Sequence, residues 1–228
     1  KEPQIGQHKW VMSFDLNSLY PHLIMQYNMS PDTYQKKIFN QEISVKKLLE
    51  GEVDLSMLTN TTVTPNGALF RTDKQGFLPE LLEEMYDQRV LFKNQMIKEQ
   101  KRLETIPKED IVKRKECEYE IVKYNNNQMV RKISLNSCYG ALGNQYFRYF
   151  NREIAEGITT AGQLSIKWVE KAVNEYLNKI LGTDDDYVIA IDTDSIYVTF
   201  DKLVTKVSPN NPIDFLDTIA KEKFEPMI

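Results

Sequence analysis

Two aspartates separated by a single residue, set inside an otherwise apolar stretch, constrain this chain more than any other feature. The stretch is Tyr187-Val-Ile-Ala-Ile-Asp-Thr-Asp-Ser-Ile-Tyr-Val-Thr-Phe200. Residues rich in Val, Ile and Tyr favour extended backbone, and the Asp192-Thr193-Asp194-Ser195 break reads as the turn of a hairpin. Along extended backbone, side chains two apart leave on the same side. The spacing therefore predicts two carboxylates projecting together from the tip of a buried hairpin. Such acids repel unless a cation holds them, and hard carboxylate oxygens suit Mg²⁺. A solvated turn accounts for the same residues, since Asp and Ser are common in turns. A calcium loop does not. It needs Gly at its sixth position and Glu at its twelfth, where Tyr197 and Leu203 stand when counting from Asp192.

Two further segments narrow the reading. Trp10-Val-Met-Ser-Phe14 is an apolar-rich strand ending in Asp15, and Leu16-Asn-Ser-Leu-Tyr-Pro-His-Leu-Ile-Met-Gln26 follows as a helical stretch. A carboxylate where a strand meets a helix N-terminus suits a metal or phosphate site, because free backbone N–H groups gather there. In Arg131-Lys-Ile-Ser-Leu-Asn-Ser-Cys-Tyr-Gly-Ala-Leu-Gly143, helical spacing puts Lys132, Asn136 and Tyr139 on one face.

Together the three segments resemble family B DNA polymerases. Asp15-Leu-Asn-Ser-Leu-Tyr-Pro21 resembles that family's first palm motif. Lys132-x-x-x-Asn136-Ser-x-Tyr139-Gly140 resembles its fingers motif, and Asp192-Thr-Asp-Ser195 its second palm motif. Longer stretches, among them Val11-Met-Ser-Phe-Asp, Ser137-Cys-Tyr-Gly-Ala-Leu-Gly-Asn and Phe147-Arg-Tyr-Phe, are similar to the T-even-type bacteriophage branch of the family. The resemblance covers essentially the whole chain.

Bulk properties are compatible with this. The 228 residues can hold one or two units with a real core. No apolar run approaches the ~20 residues that span a bilayer, and no signal-like N-terminus is visible. Cys117 and Cys138 make no disulfide framework, so a reducing compartment is expected. In that setting the glycosylation-type triplets at Asn28 and Asn60 carry no meaning. The net charge of −4 is unlike the basic footprint of most nucleic-acid binders. Charge is uneven, however. Residues 89–132 hold twelve basic and seven acidic side chains, a surplus of five that leaves −9 on the remainder. A basic arm beside an acidic body suits a triphosphate grip next to a metal site.

Along the chain, a short helix is expected at 44–50 and a hairpin over Thr61–Arg71, with Asn66-Gly67 supplying the positive φ of its turn. Apolar residues Leu78, Leu81, Leu82, Met85, Phe92 and Met96 predict a helix over 79–104. Ile106-Pro107 interrupts it, and a second helix is expected from about 108 to 139, ending near Gly140. Its weak point is Asn125-Asn-Asn127, since Asn is a poor helix former. Further helices are expected at 160–181, stopped by Gly182, and at 212–226. The fold class is α+β. The resemblance implies a palm of antiparallel sheet with packed helices, over 1–78 and 141–228, and an inserted antiparallel helical fingers arm over 79–140.

The resemblance also assigns roles. It implies template-directed DNA synthesis, the transfer of nucleotides from dNTPs to a primer 3′ end by a two-metal mechanism. Two Mg²⁺ ions, or Mn²⁺ in their place, would be held by Asp15, Asp194 and the Leu16 carbonyl, with Asp192 as ligand or close neighbour. Arg89, Lys93 and Lys132 would grip the β- and γ-phosphates, Asn136 would reach the nucleotide, and the backbone N–H groups of Ser18 and Leu19 would receive phosphate oxygens. Tyr20 would exclude a ribose 2′-hydroxyl. Tyr139 and Gly140 would pack under the new base pair. Ordinary structural roles exist for several of these: a solvated helix face for Arg89 and Lys93, a core tyrosine for Tyr20, a helix C-cap for Gly140. His22 stands where the family often has Ser.

Exonuclease motifs, the Lys-x-Tyr primer motif and a thumb are not visible in the sequence. With Lys1 first and Ile228 inside an expected helix, the chain reads as an excised or processed piece of a larger protein. Expected partners are primer-template DNA, dNTPs, the missing domains or a partner chain carrying them, and a sliding clamp. No membrane is expected, and the expected setting is the cytoplasm of a phage-infected bacterium. The alternative is a non-catalytic piece that needs its partner. An unrelated Mg²⁺-dependent phosphohydrolase would explain the acids but not the Lys132–Asn136–Tyr139 face.

Overall fold

The structure, a computed structural model, describes residues 1–38, 43–56 and 58–226. Ile228, expected within a helix, lies outside them. The elements in chain order are β1 (Val11–Asp15), α1 (Leu19–Gln26), β2 (Tyr34–Lys37), α2 (Val45–Glu50), β3 (Thr61–Val63) and β4 (Ala68–Arg71). Then come α3 (Phe77–Thr105), α4 (Ile111–Leu142), α5 (Arg152–Leu181), β5 (Val188–Asp192), β6 (Ser195–Thr199), α6 (Asp201–Val207) and α7 (Pro212–Ile219), with a π-helical turn at Ala220–Phe224. Both sheets are antiparallel and three-stranded, ordered β1-β6-β5 and β2-β4-β3. The expected mixture of antiparallel sheet and helix is what the chain forms.

By contacts the chain divides into two units. The first comprises Lys1–Leu19, Asn40–Leu55 and Thr159–Ile228. Its core lies between the inner face of β1-β6-β5 and α5. Ile166, Val169, Val173 and Leu177 recur at helical spacing along α5 and meet Val188, Ile196 and Val198, with Phe200, Leu216 and Phe224 closing the cluster. Each of these side chains contributes roughly 1.5–3 kcal/mol by leaving water. Gly182 ends α5 at φ 71, its N–H and that of Thr183 both reaching the Asn178 carbonyl.

The second unit comprises Tyr20–Phe39 and Ser56–Ile158. The expected hairpin is β3–β4. Positive φ falls on Gly67 alone (84°), and the Thr64 carbonyl accepts the Gly67 N–H while the Thr64 N–H donates to Ala68. That is a three-residue loop closed by a left-handed glycine rather than a two-residue turn. A Cβ at Gly67 would lie 2.6 Å from the Ile38 carbonyl oxygen.

Helix limits differ from expectation for identifiable reasons. The second long helix starts at Ile111, not 108, because the Asp110 carboxylate caps it by accepting the Lys113 N–H at 3.2 Å. It continues through Asn125–Asn127, where Asn127 Nδ2 donates to the Lys123 carbonyl at 2.9 Å. It also runs past Gly140 to Leu142, which is fully buried, so Gly140 lies within the last turn and Gly143 is the C-cap. Helix α5 starts at Arg152 instead of 160, with Asn151 Oδ1 accepting the Ile154 N–H at 3.1 Å. Ile154 and Ile158 in its first turns are fully buried, and Gly157 admits Thr64, to whose Oγ1 a Cβ there would come within 3.2 Å. Strand β2 and helix α6 were not expected. The terminal helix is split by the π turn. Helix α1 starts at Leu19, so of the expected helical stretch Leu16 is an irregular link and Asn17–Ser18 a turn.

Candidate functional site

The acidic end of the first sheet is built by register. Central β6 pairs Ser195 with Asp15 on one side and with Asp192 on the other. Directly paired residues share a face. Met12 and Phe14 pack into the core with Ile196 and Val198, so Ser13, Asp15, Ser195, Tyr197 and Asp192 occupy the opposite, open face. Asp15 and Asp192 therefore flank Ser195 as exposed carboxylates, two strand spacings or roughly 10 Å apart at the backbone.

Asp194 belongs to the two-residue loop, not to a strand. Thr193 holds φ 50°, a left-handed conformation that a β-branched residue rarely adopts. Strict alternation therefore does not run from Asp192 to Asp194, and the expectation that both leave one side of an extended strand does not carry through the turn. The Asp194 carbonyl accepts the Leu16 N–H at 2.8 Å, and Ser195 Oγ donates to the Asp192 carbonyl at 3.2 Å. The first bond ties the exit of β1 to the hairpin tip and sets Asp15-Leu16 beside Asp194. A cleft of about 410 Å³ opens there, lined by Ser13, Phe14, Asp15, Leu16, Asn17 and Glu225. Glu225, placed by the π turn after buried Phe224, is an acidic neighbour for which the sequence carried no signal.

Among the described residues no three His, Cys, Asp or Glu side chains converge as a metal cage. Mg²⁺ is usually bound by one or two carboxylates together with substrate phosphates rather than by an all-protein cage. The hard oxygens of Asp15, Asp194 and the Leu16 carbonyl fit that kind of site. Ser18 sits at φ 56 just before α1, with Oγ donating to Asn17 Oδ1 at 3.3 Å. The Leu19 N–H, the first of α1, has no partner within the helix.

In the second unit the remaining expected residues come together on an antiparallel helix pair. Gln88 and Phe92 of α3 face Arg131 of α4. Arg131 Nε donates to Gln88 Oε1 at 2.8 Å, and its guanidinium carbon lies 4.5 Å from the Phe92 ring centre. Arg89 and Lys93 are each one residue beyond this facing row, as are Lys132 and Asn136 beyond Arg131 and buried Leu135. One residue is a rotation of about 100°. Because the helices run in opposite directions, that rotation carries both rows to the same side of the pair. Lys93, Lys132 and Asn136 are exposed and Arg89 is half-buried. Among the described residues neither Lys93 nor Lys132 is in an ion pair. At the α4 end, the Tyr139 ring lies 4.8 Å from that of Tyr20 at 60°. His22 meets Tyr86 edge-on at 4.6 Å. Gly140 is exposed, with nothing within 4 Å of where its Cβ would be.

The comparisons with known proteins agree with these motifs. The family model described as DNA polymerase family B matches residues 2–222. The chain belongs to DNA polymerase family B. It is 33% identical over its whole length to the DNA-directed DNA polymerase of Enterobacteria phage T4, of which it covers 30%, and 34% identical to that of Escherichia phage RB69, again covering 30%. The chain thus spans about a third of the length of these relatives. The solved family B DNA polymerase of Pyrobaculum calidifontis matches 99% of the chain and 24% of its own, with a TM-score of 0.56 at 24% identity. That likeness speaks to the fold.

Proposed function

We propose that this chain is the palm and fingers core of a T-even-type replicative DNA polymerase. It extends a primer 3′ end with dNTPs under the direction of a template. The observation that carries the reading is the Leu16 N–H to Asp194 carbonyl bond, which joins the two acidic motifs, distant in sequence, at one end of one sheet. The palm is taken as 1–78 with 141–228, and the fingers as 79–140.

In the proposed reaction the primer 3′ oxygen forms a bond to the α-phosphorus. The bond from that phosphorus to the bridging oxygen of the β-phosphate breaks. The hydroxyl proton is lost and pyrophosphate leaves. Asp15, Asp194 and the Leu16 carbonyl would hold Mg²⁺, with Asp192 across Ser195 as a further carboxylate. A bound pair of such ions stabilises charge on the attacking and leaving oxygens. Arg89, Lys93 and Lys132 grip the β- and γ-phosphates, the arginine as a fork and the lysines as point charges. Asn136 and the N–H groups of Ser18 and Leu19 supply neutral donors. Tyr20 excludes the 2′-hydroxyl by clash, and Tyr139 with Gly140 supports the nascent pair.

The test is Mg²⁺-dependent extension of a primed template, with Asp194→Ala as control. Extension that the substitution abolishes supports a self-sufficient core; extension that survives it removes Asp194 from the chemistry. One observation favours a second reading, a piece that acts only with its partners. The chain spans 30% of its phage relatives, and duplex affinity rests on many phosphate contacts. No extension by the chain alone, restored by adding the complementary remainder of such a polymerase, would select it. A sliding clamp and the cytoplasm of an infected bacterium belong to the same proposal.

A further inference from the structure

We infer that Arg131 and Gln88 form a register lock between α3 and α4, and that Arg131 is a positioning residue for triphosphate binding. The inference rests on the proposed reading of Arg89, Lys93 and Lys132 as the phosphate grip. Arg131 touches none of the expected ligand positions. It spends its guanidinium inside the helix pair. Nε donates across to Gln88 Oε1 at 2.8 Å, one terminal nitrogen donates to the Asn127 carbonyl at 3.0 Å, and the planar group lies over Phe92. Phe92 is in turn stacked with Tyr124 of α4, ring centres 6.4 Å apart.

The placement is what matters. Gln88 immediately precedes Arg89, Phe92 precedes Lys93, and Arg131 precedes Lys132. A slide of one helix against the other by one residue would move Lys132 about 1.5 Å along the pair and turn its row relative to Arg89 and Lys93. Apolar contacts have no direction, and the other polar bonds across the pair, from Cys117 Sγ to the Glu99 carbonyl and from Arg114 to the Leu103 and Ile106 carbonyls, lie toward its turn end. With one nitrogen tied to the Asn127 carbonyl of its own helix, the planar group can meet the Gln88 oxygen and the Phe92 ring of the other helix together in only one register. Lysine cannot reproduce it, since its ammonium is a single point of charge without a plane to stack.

The test is equilibrium binding of a non-hydrolysable deoxynucleoside triphosphate with Mg²⁺ to the full 228-residue chain, compared with the matching nucleoside monophosphate. Arg131→Met and Arg131→Lys should each weaken triphosphate binding about tenfold while moving monophosphate binding less than about twofold. Gln88→Leu should do the same, and the double variant should be no worse than either alone. Gln88→Glu keeps the acceptor and should retain affinity. A general loss of structure would move both ligands together. Helix content by circular dichroism accompanies each measurement, and where Arg131→Met lowers the folded fraction, Arg131→Lys decides. Lys132→Ala separates the layers. If Lys132→Ala weakens triphosphate binding and the Arg131 variants do not, the register lock is overturned alone. If the unmodified chain binds no triphosphate, or Lys132→Ala changes nothing, the phosphate-grip reading falls and the lock with it.

Discussion

The rings of Tyr20 and Tyr139 lie 4.8 Å apart and inclined by 60°, joining the start of α1 to the last turn of α4. Residues far apart in sequence, one expected to read the sugar and the other the base pair, thus support each other. Each ring restricts the other's rotamers, so on the proposed reading Tyr139 braces the residue that would wall off the sugar. If Tyr20 is the proposed steric gate, Tyr20→Ala should narrow discrimination against ribonucleotides by about 10–100-fold, with the proposed phosphate grip left in place. Tyr139→Ala should narrow it less, by loosening Tyr20. The measurement is kcat/KM for a matched dNTP and NTP pair in primer extension. Unchanged ratios in both variants would make Tyr20 a packing residue only.

Asn28 carries a stability prediction. It ends α1 at φ 56, and its buried side chain is saturated. Nδ2 donates to the Arg71 and Lys74 carbonyls at 2.7 and 2.8 Å, while Oδ1 accepts the Gly76 N–H at 2.8 Å. The network ties α1 to the connection between β4 and α3. Asn28→Ala strands three backbone groups and leaves a left-handed residue without its local compensation. The expected loss is about 2–4 kcal/mol, read by urea unfolding. Asn28→Asp should cost at least as much as Ala, since it keeps the acceptor for Gly76 but sets a buried carboxylate oxygen against the Arg71 and Lys74 carbonyls.

The Cys138 thiol is pushed up to about 11 by burial. At pH 8 it should hold about a hundredfold less thiolate than a thiol at the ordinary value of 9.0, so iodoacetamide should alkylate it slowly in the folded chain. The linkage sign follows from the raised value. Below the unfolded value both states carry the proton and no stability is lost. As pH climbs from about 9 through about 11, the unfolded state releases its proton first and the fold weakens. Cys138→Ala should flatten that part of the stability profile. Rapid alkylation at pH 8 under native conditions would show that the half-buried thiol is open to solvent.

What the sequence made legible is what local chemistry decides. Apolar runs rich in Val and Ile on either side of Asp192–Ser195 read as a hairpin, and the helix over 79–104 is written in Leu78, Leu82 and Met85. The start of α5 was hidden because Gly157, Thr159 and Thr160 are weak helix formers. Helix is imposed there by burial of Ile154 and Ile158 and by the fit of Gly157 against Thr64. Strand β2, Tyr-Gln-Lys-Lys, has little apolar pattern and exists because β4 offers it an edge. The Asp15, Asp192 and Asp194 set could be named from motifs. Its arrangement around Ser195, and Glu225 beside Asp15, depend on a strand order that no single segment encodes. The same holds for Gln88 and Arg131, ordinary helix residues until two helices face each other.

Thr193 offers a last test, at the hairpin tip itself. A β-branched residue at φ 50° pays about 1–2 kcal/mol in backbone sterics. Glycine removes that cost but adds about 0.5–1 kcal/mol of backbone entropy on folding. Thr193→Gly should therefore leave the chain equally stable or up to about 1.5 kcal/mol more stable, whereas most substitutions destabilise. The strained loop sets the direction of the Asp194 carbonyl toward Leu16, so a freer loop should hold the two acidic motifs less firmly. Stability measured by thermal unfolding should hold or rise while the rate of Mg²⁺-dependent extension falls. A variant that is clearly less stable would mean the threonine side chain contributes contacts that outweigh the strain. One that is more stable with full activity would mean the loop conformation is not needed to place Asp194.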